Sequence, residues 1–125
     1  MSVIKYEVHV YSDKIKKWYL NGQLHREDGP AIEYADGSKE WYLNGRYHRV
    51  DGPAIEWTSG NKFWIINGEL HREDGPAIEY ANGSKVWYID GKELTESEFN
   101  NRIKIKELTI SEIQSILGYK IKVIE

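Results

Sequence analysis

Trp18, Trp41, Trp64 and Trp87 recur every 23 residues, and no other feature of the chain limits its fold as strongly. After each of the first three comes a version of W-Y-L-N-G-x-L-H-R-E-D-G-P-A-I-E-Y-A-D-G-S-K. Residues 18–40 and 64–86 are identical at 18 of 23 positions, and residues 41–63 match 18–40 at 15 of 23. A fourth unit begins at Trp87-Tyr88-Ile89-Asp90-Gly91 and then leaves the pattern. Upstream, Tyr11-Ser12-Asp13-Lys14 stands where Tyr34-Ala35-Asp36-Gly37 stands one period later. Residues 1–17 therefore read as a degenerate half-unit. The frame gives a repeat region over 1–91 (units 18–40, 41–63, 64–86 and a partial unit 87–91) and a differently built segment over 92–125.

Each unit reads as β structure. Ala31-Ile32-Glu33-Tyr34 alternates apolar and polar, as a half-buried strand does. Asp36-Gly37 marks a tight turn, and Lys39 to Leu43 returns as one strand. Asn44-Gly45 is a second turn, and Pro53, with no N–H to donate, belongs at the first residue or edge of a strand. The predicted fold class is mainly β: an elongated antiparallel meander of hairpin repeats with a small C-terminal α/β cap. In that cap, Thr95-Glu96-Ser97-Glu98 and Thr109-Ile110-Ser111-Glu112 are capping-box patterns. They predict one helix through about Arg102 and another over 110–117, with Ile110, Ile113 and Leu117 on one face and Gly118 as its stop. Ile103-Lys104-Ile105-Lys106 and Lys120-Ile121-Lys122-Val123-Ile124 alternate like strands.

Composition removes several function classes. Cysteine is absent from the 125 residues, which excludes disulfide scaffolds, Cys-based zinc sites and thiol catalysis. No apolar run is long enough to span a membrane, and the first residues lack a signal-peptide core, so a cytoplasmic protein without membrane association is expected. Residues 18–90 carry 7 basic and 12 acidic side chains, net -5 within a chain total of -3. An acidic, aromatic-rich sheet favours a basic or protein partner over duplex nucleic acid, whose affinity comes largely from neutralised phosphates.

The motif W, N-G, then His three residues after the Gly, then Gly and an aromatic strand ending in D-G resembles the MORN repeat over residues 18–91. It is still more similar to the "HREDGPA" repeat proteins of phages, giant viruses and bacteria. The resemblance implies stacked β-hairpin units and a scaffolding role. It also implies a phage-type protein that modulates or inhibits a host or defence system.

Two rows of residues are candidate sites. His25-Arg26, His48-Arg49 and His71-Arg72, each followed by Asp28, Asp51 or Asp74, could read phosphates or carboxylates through the planar Arg fork. Alternatively they tie down the loops, because each unit of an array must solve the same folding problem. Trp18, Trp41, Trp64 and Trp87 with Leu20, Leu43, Ile66 and Ile89 are expected on one packed face. Tyr19, Tyr42, Ile65 and Tyr88 fall in the opposite register, either as an exposed binding platform or under the C-terminal segment. Three-His metal ligation across units is geometrically poor, since equivalent positions two strands apart lie about 10 Å from one another. The equal carboxylates Glu27-Asp28, Glu73-Asp74, Glu33, Glu56 and Glu79 offer no acid–base asymmetry. The expectation is a non-catalytic platform without cofactor or metal that binds a protein partner. The alternative is sequestration of a small phosphorylated ligand. Self-association through the sheet edge or the C-terminal cap is compatible with either.

Overall fold

A computed structural model describes residues 4–106 and 109–118. The backbone forms two compact units, Met1–Leu94 and Thr95–Glu125. Along the first unit run β1 (Tyr6–Val10), β2 (Lys16–Leu20), β3 (Gln23–Leu24), β4 (Ile32–Glu33) and β5 (Lys39–Glu40). The second repeat gives β6 (Tyr42–Leu43), β7 (Arg46–Tyr47), β8 (Ile55–Glu56) and β9 (Lys62–Phe63). The third gives β10 (Ile65–Ile66), β11 (Glu69–Leu70), β12 (Ile78–Glu79) and β13 (Lys85–Ile89), and β14 (Lys92–Leu94) closes the last hairpin. The sheet unit thus runs three residues past Gly91, because β14 pairs Trp87 with Leu94.

The main ladder is an antiparallel meander in the order β1-β2-β4-β5-β8-β9-β12-β13-β14. Its register sorts side chains onto two faces. On one, Lys16, Glu33, Lys39, Glu56, Lys62, Glu79 and Lys85 stand directly opposite one another in sequence. Opposite charges alternate across the strand boundaries from β2 to β13, and the glutamates among them also pair with Arg26, Arg49 and Arg72. On the other face Ile32, Glu40, Ile55, Phe63, Ile78 and Val86 form the matching row. At one end of the ladder β1 exposes Tyr6, Val8 and Val10.

The expected single strand over 39–43 is interrupted at Trp41. Trp41 N–H donates to Ala54 O at 2.7 Å, and Trp41 O accepts from His48 N at 3.0 Å. The chain therefore leaves the main ladder there and enters the hairpin β6-β7, and Trp64 does the same before β10-β11. The copies at the ends stay continuous, since β1 pairs across Trp18 and β14 across Trp87.

Burial follows this register rather than side-chain size. Ile65 of β10 joins Ile55 and Ala54 in one buried cluster, with Trp41, Tyr47, Phe63 and Leu70 packed against it. The hairpin row lies over the apolar face of the ladder. Ile65, in the tyrosine register, is 8% exposed, whereas Tyr19, Tyr42, Tyr88 and all four repeat tryptophans are half-buried, so neither register forms a fully packed face.

Two turn types recur. Asn44 and Gly45 have φ of 52° and 77°, as a type I′ hairpin turn requires at both central residues, and Asn21, Asn67 and Asp90 repeat it. At the other end Tyr34 N–H donates to Ser38 O, and Gly37 N–H to Tyr34 O with Gly37 at φ 95°. Tyr11 and Lys14 make the same two bonds, which establishes the N-terminal half-unit, but Lys14 adopts φ 69° without being glycine.

The second unit contains α1 (Glu96–Lys106) and α2 (Ile110–Leu117). Thr95 and Glu98 cap α1 reciprocally, at 3.0 and 3.1 Å. Thr109 caps α2, and Gly118 ends it at φ 74°. The strand expected at residues 103–106 is instead the last turn of α1: a strand needs a neighbour for its N–H and C=O groups, whereas a helix supplies its own. The strand expected over 120–124 lies outside the described residues. Among those described, no helix is long and apolar enough to cross a membrane.

The left-handed φ at Lys14 costs an L-residue roughly 1–2 kcal/mol, part of which glycine's larger unfolded-state entropy offsets. Lys14→Gly is therefore expected to raise the unfolding free energy by about 0.5–1 kcal/mol, read from the urea midpoint at unchanged slope.

Candidate functional site

The H-R-x-D-G-P loops fold identically in the three repeats. Arg49 stacks over the Trp41 ring, with Cζ 3.8 Å from its centroid. Arg49 Nε donates to Asp51 at 3.1 Å, and Nη1 donates to Pro53 O at 3.0 Å and to Glu56 at 3.3 Å. A Cβ on Gly52 would lie 2.9 Å from Arg49 Cζ, so the glycine is the space in which the guanidinium sits. Arg26 over Trp18 beside Gly29, and Arg72 over Trp64 beside Gly75, repeat the arrangement. The histidines act between units. Nδ1 of His25, His48 and His71 accepts the N–H of Asn44, Asn67 and Asp90, at 2.9, 3.0 and 2.9 Å. Each thereby ties its loop to the next unit's I′ turn, and His71 Nδ1 also lies 3.1 Å from the Asp90 carboxylate.

Successive loops enclose similar grooves. One of about 640 Å³ is lined by Arg26, Asp28, Trp41, Leu43, His48 and Asp51. The next, of about 660 Å³, is lined by Arg49, Asp51, Trp64, Ile66, His71 and Asp74. The guanidinium groups are about one-fifth exposed, while the side chains of Asp28, Asp51 and Asp74 are 88, 88 and 86% exposed. What these grooves offer a partner is an apolar Trp floor with carboxylates at the rim.

A different constellation lies at the D-G turns. Glu40, 5% exposed, accepts the Tyr42 hydroxyl at 3.1 Å and the Tyr47 hydroxyl at 3.0 Å on Oε1, and the Trp57 indole N–H at 3.3 Å on Oε2. Tyr34 also hydrogen-bonds to it. The Tyr42 and Tyr47 rings lie 4.3 Å apart. An open pocket of about 380 Å³ is lined by Tyr34, Asp36, Ser38, Glu40, Trp57 and Thr58, among others. Thr58 N–H donates to Ser38 Oγ at 3.0 Å and Thr58 Oγ1 to Asp36 at 3.2 Å, which joins the two turns. The Ser38 N–H and hydroxyl hold Asp36 below the usual carboxylate range. Burial, reinforced by the bond to Glu40, pushes Tyr34 up to about 12. Burial likewise raises Tyr42, with the Tyr47 hydroxyl adding to it, and raises Tyr47.

The residues singled out in the sequence therefore occupy separate places. His25, Arg26, His48, Arg49, His71 and Arg72 form the loop framework. Tyr42 is turned inward onto Glu40, while Tyr19 and Tyr88 are half-buried elsewhere in the same register. Glu40, Tyr47 and Trp57 were not singled out. The legible signal was their departure from the repeat: Glu40 stands where Phe63 and Val86 stand, Tyr47 where Leu24 and Leu70 stand, and Trp57 where Tyr34 and Tyr80 stand. No family model, curated protein or solved structure matches the chain.

Arg49→Lys keeps the charge but loses the planar fork and is expected to cost about 1–3 kcal/mol in denaturant unfolding. Gly52→Ala is expected to destabilise when introduced alone and to add little in an Arg49→Ala background, a coupling that a double-mutant cycle measures. Alkaline pH tests the tyrosine cluster. Unfolded tyrosine ionises near 10, so from there to about 12 the unfolded chain has released a proton that folded Tyr34 keeps. The stability this contributes is complete below pH 10 and disappears as pH rises through 12. Ultraviolet titration of tyrosinate is expected to show a late step coincident with unfolding, which Glu40→Gln moves to lower pH.

Proposed function

We propose that the protein is a non-catalytic repeat platform that binds a basic surface of a partner protein along the grooves between its H-R-x-D-G-P loops. The observation that carries this reading is the serial repetition of one groove, with a Trp floor and exposed Asp28, Asp51 and Asp74 at its rim. Equivalent grooves one unit apart suit an extended or repetitive contact more than a single small ligand. Rim carboxylates steer a cationic partner and set salt-dependent association. Occupied Arg forks weigh against a phosphate-reading row: Nε and Nη1 of Arg26, Arg49 and Arg72 already donate within their own loops. The likeness to phage HREDGPA proteins makes host and defence components the first partners to test.

The third loop position provides the probe, since Glu27 and Val50 are 74 and 83% exposed and lie outside the Arg framework. Affinity capture from host lysate, followed by binding of the purified partner, is expected to weaken at least about tenfold in Glu27→Lys/Val50→Lys and to weaken with salt. Because Glu27 bonds His25 Nε2 at 3.4 Å, the unchanged melting temperature is expected of Val50→Lys alone. Undiminished binding by the double variant would sink the groove reading. Nucleotide-induced thermal stabilisation lost in Arg49→Ala would replace it with the phosphorylated-ligand reading.

A further inference from the structure

The D-G-turn pocket is not required to build the sheet. One unit later, Phe63 fills the place of Glu40 and packs edge-on against Trp57 and Tyr80, with centroids 5.3 and 6.2 Å away. Six of the eight places where residues 41–63 depart from residues 18–40 bear on the Glu40 pocket, among them Glu40 itself against Phe63, Tyr47 against Leu24, Trp57 against Tyr34, and Thr58 against Ala35. These exchanges put a buried carboxylate where packing alone would put a hydrocarbon. Its partners are all neutral O–H and N–H groups, and the ion pairs of the described residues all lie elsewhere.

We propose that the pocket between the Asp36-Gly37 and Ser59-Gly60 turns binds an alkylammonium group, with Glu40 at its floor, Asp36 at its mouth and the Tyr34 and Trp57 rings beside it. A buried carboxylate with no cation of its own gains more from an incoming positive charge than an exposed one does. Aromatic faces add about 0.5–2 kcal/mol for a weakly hydrated organic cation. Hard metal ions fit poorly, because they require six or more oxygen ligands and Glu40 already accepts bonds on both oxygens. Anions meet two carboxylates. The chain supplies an analogue one period upstream, where Lys17 occupies the place of Glu40 and its ammonium lies 5.3 Å over the ring of Tyr11, the counterpart of Tyr34. The inference stands independently of the loop grooves.

The test is a titration of the full chain with choline, N-acetyl-lysine methylamide and its ε-trimethyl form, followed by N–H resonances. Saturable shifts of the Trp57 indole and the Thr58 amide are expected, about tenfold weaker in Glu40→Gln and severalfold weaker in Asp36→Asn. The neutral tert-butyl isostere of choline should leave both resonances in place. Tighter binding of the lysine amides assigns the site to a partner's side chain, tighter binding of choline to a free amine, and either supports the proposal. Absent shifts, an equal response to the neutral isostere, or affinities unchanged in both variants would overturn it. Should Glu40→Gln fail to fold, Asp36→Asn at the exposed mouth decides the outcome.

Discussion

The rest of the sheet unit depends on one contact, an arginine held between a tryptophan ring and a glycine. The guanidinium stacks on Trp41, fills the space that Gly52 leaves without a Cβ, and bonds Asp51, Pro53 and Glu56. Each partner is one letter of the repeated motif. Tryptophan supplies the aromatic face, glycine the clearance, aspartate and the proline carbonyl the acceptors, and strand glutamate the counter-charge. Cation–π attraction of about 0.5–2 kcal/mol together with charged hydrogen bonds compensates for holding a long side chain still. With the loop fixed, histidine can reach the next unit's turn, so one unit's folding is coupled to its neighbour's.

This coupling explains why the chain can be a stack of strands only two residues long. No such strand is stable alone. In the main ladder, each is paired on both sides, and its Trp passes the chain to a hairpin that covers the same apolar row. On the opposite face the lysines stay in water while the glutamates anchor the arginine braces. Folding is solved in every unit by repetition, which leaves the departures from repetition available for something else. They gather around Glu40.

Much of the architecture was legible. The period located the units, the two turn types and the half-unit at Tyr11, and the capping boxes located both helix starts. Three features were not legible. The break at Trp41 depends on which strand lies alongside: Trp18 makes the same two backbone bonds but stays within one strand because β1 pairs across it. Ile65 is the member of the tyrosine register that enters the buried cluster, which alternation along one strand does not indicate. The alternating Ile and Lys at 103–106 fit a strand by pattern but continue a helix. For the candidate site, the six His and Arg positions were visible in sequence but not the Glu40 cluster, because its members come from two different units.

The 23-residue period by itself determined that the protein is a β-hairpin array, since each copy carries its own turn glycines, strand alternation and loop motif. Those are local requirements: a positive φ or an alternating face is settled within a few residues of chain. Only the tertiary structure decided that the arginines are internal braces, that Ile65 enters the buried cluster, and that Glu40, Tyr34, Tyr47 and Trp57 meet. Each of those outcomes depends on which strand lies opposite which. Pairing register sums small contributions across many strands, and no single unit of the sequence contains that sum.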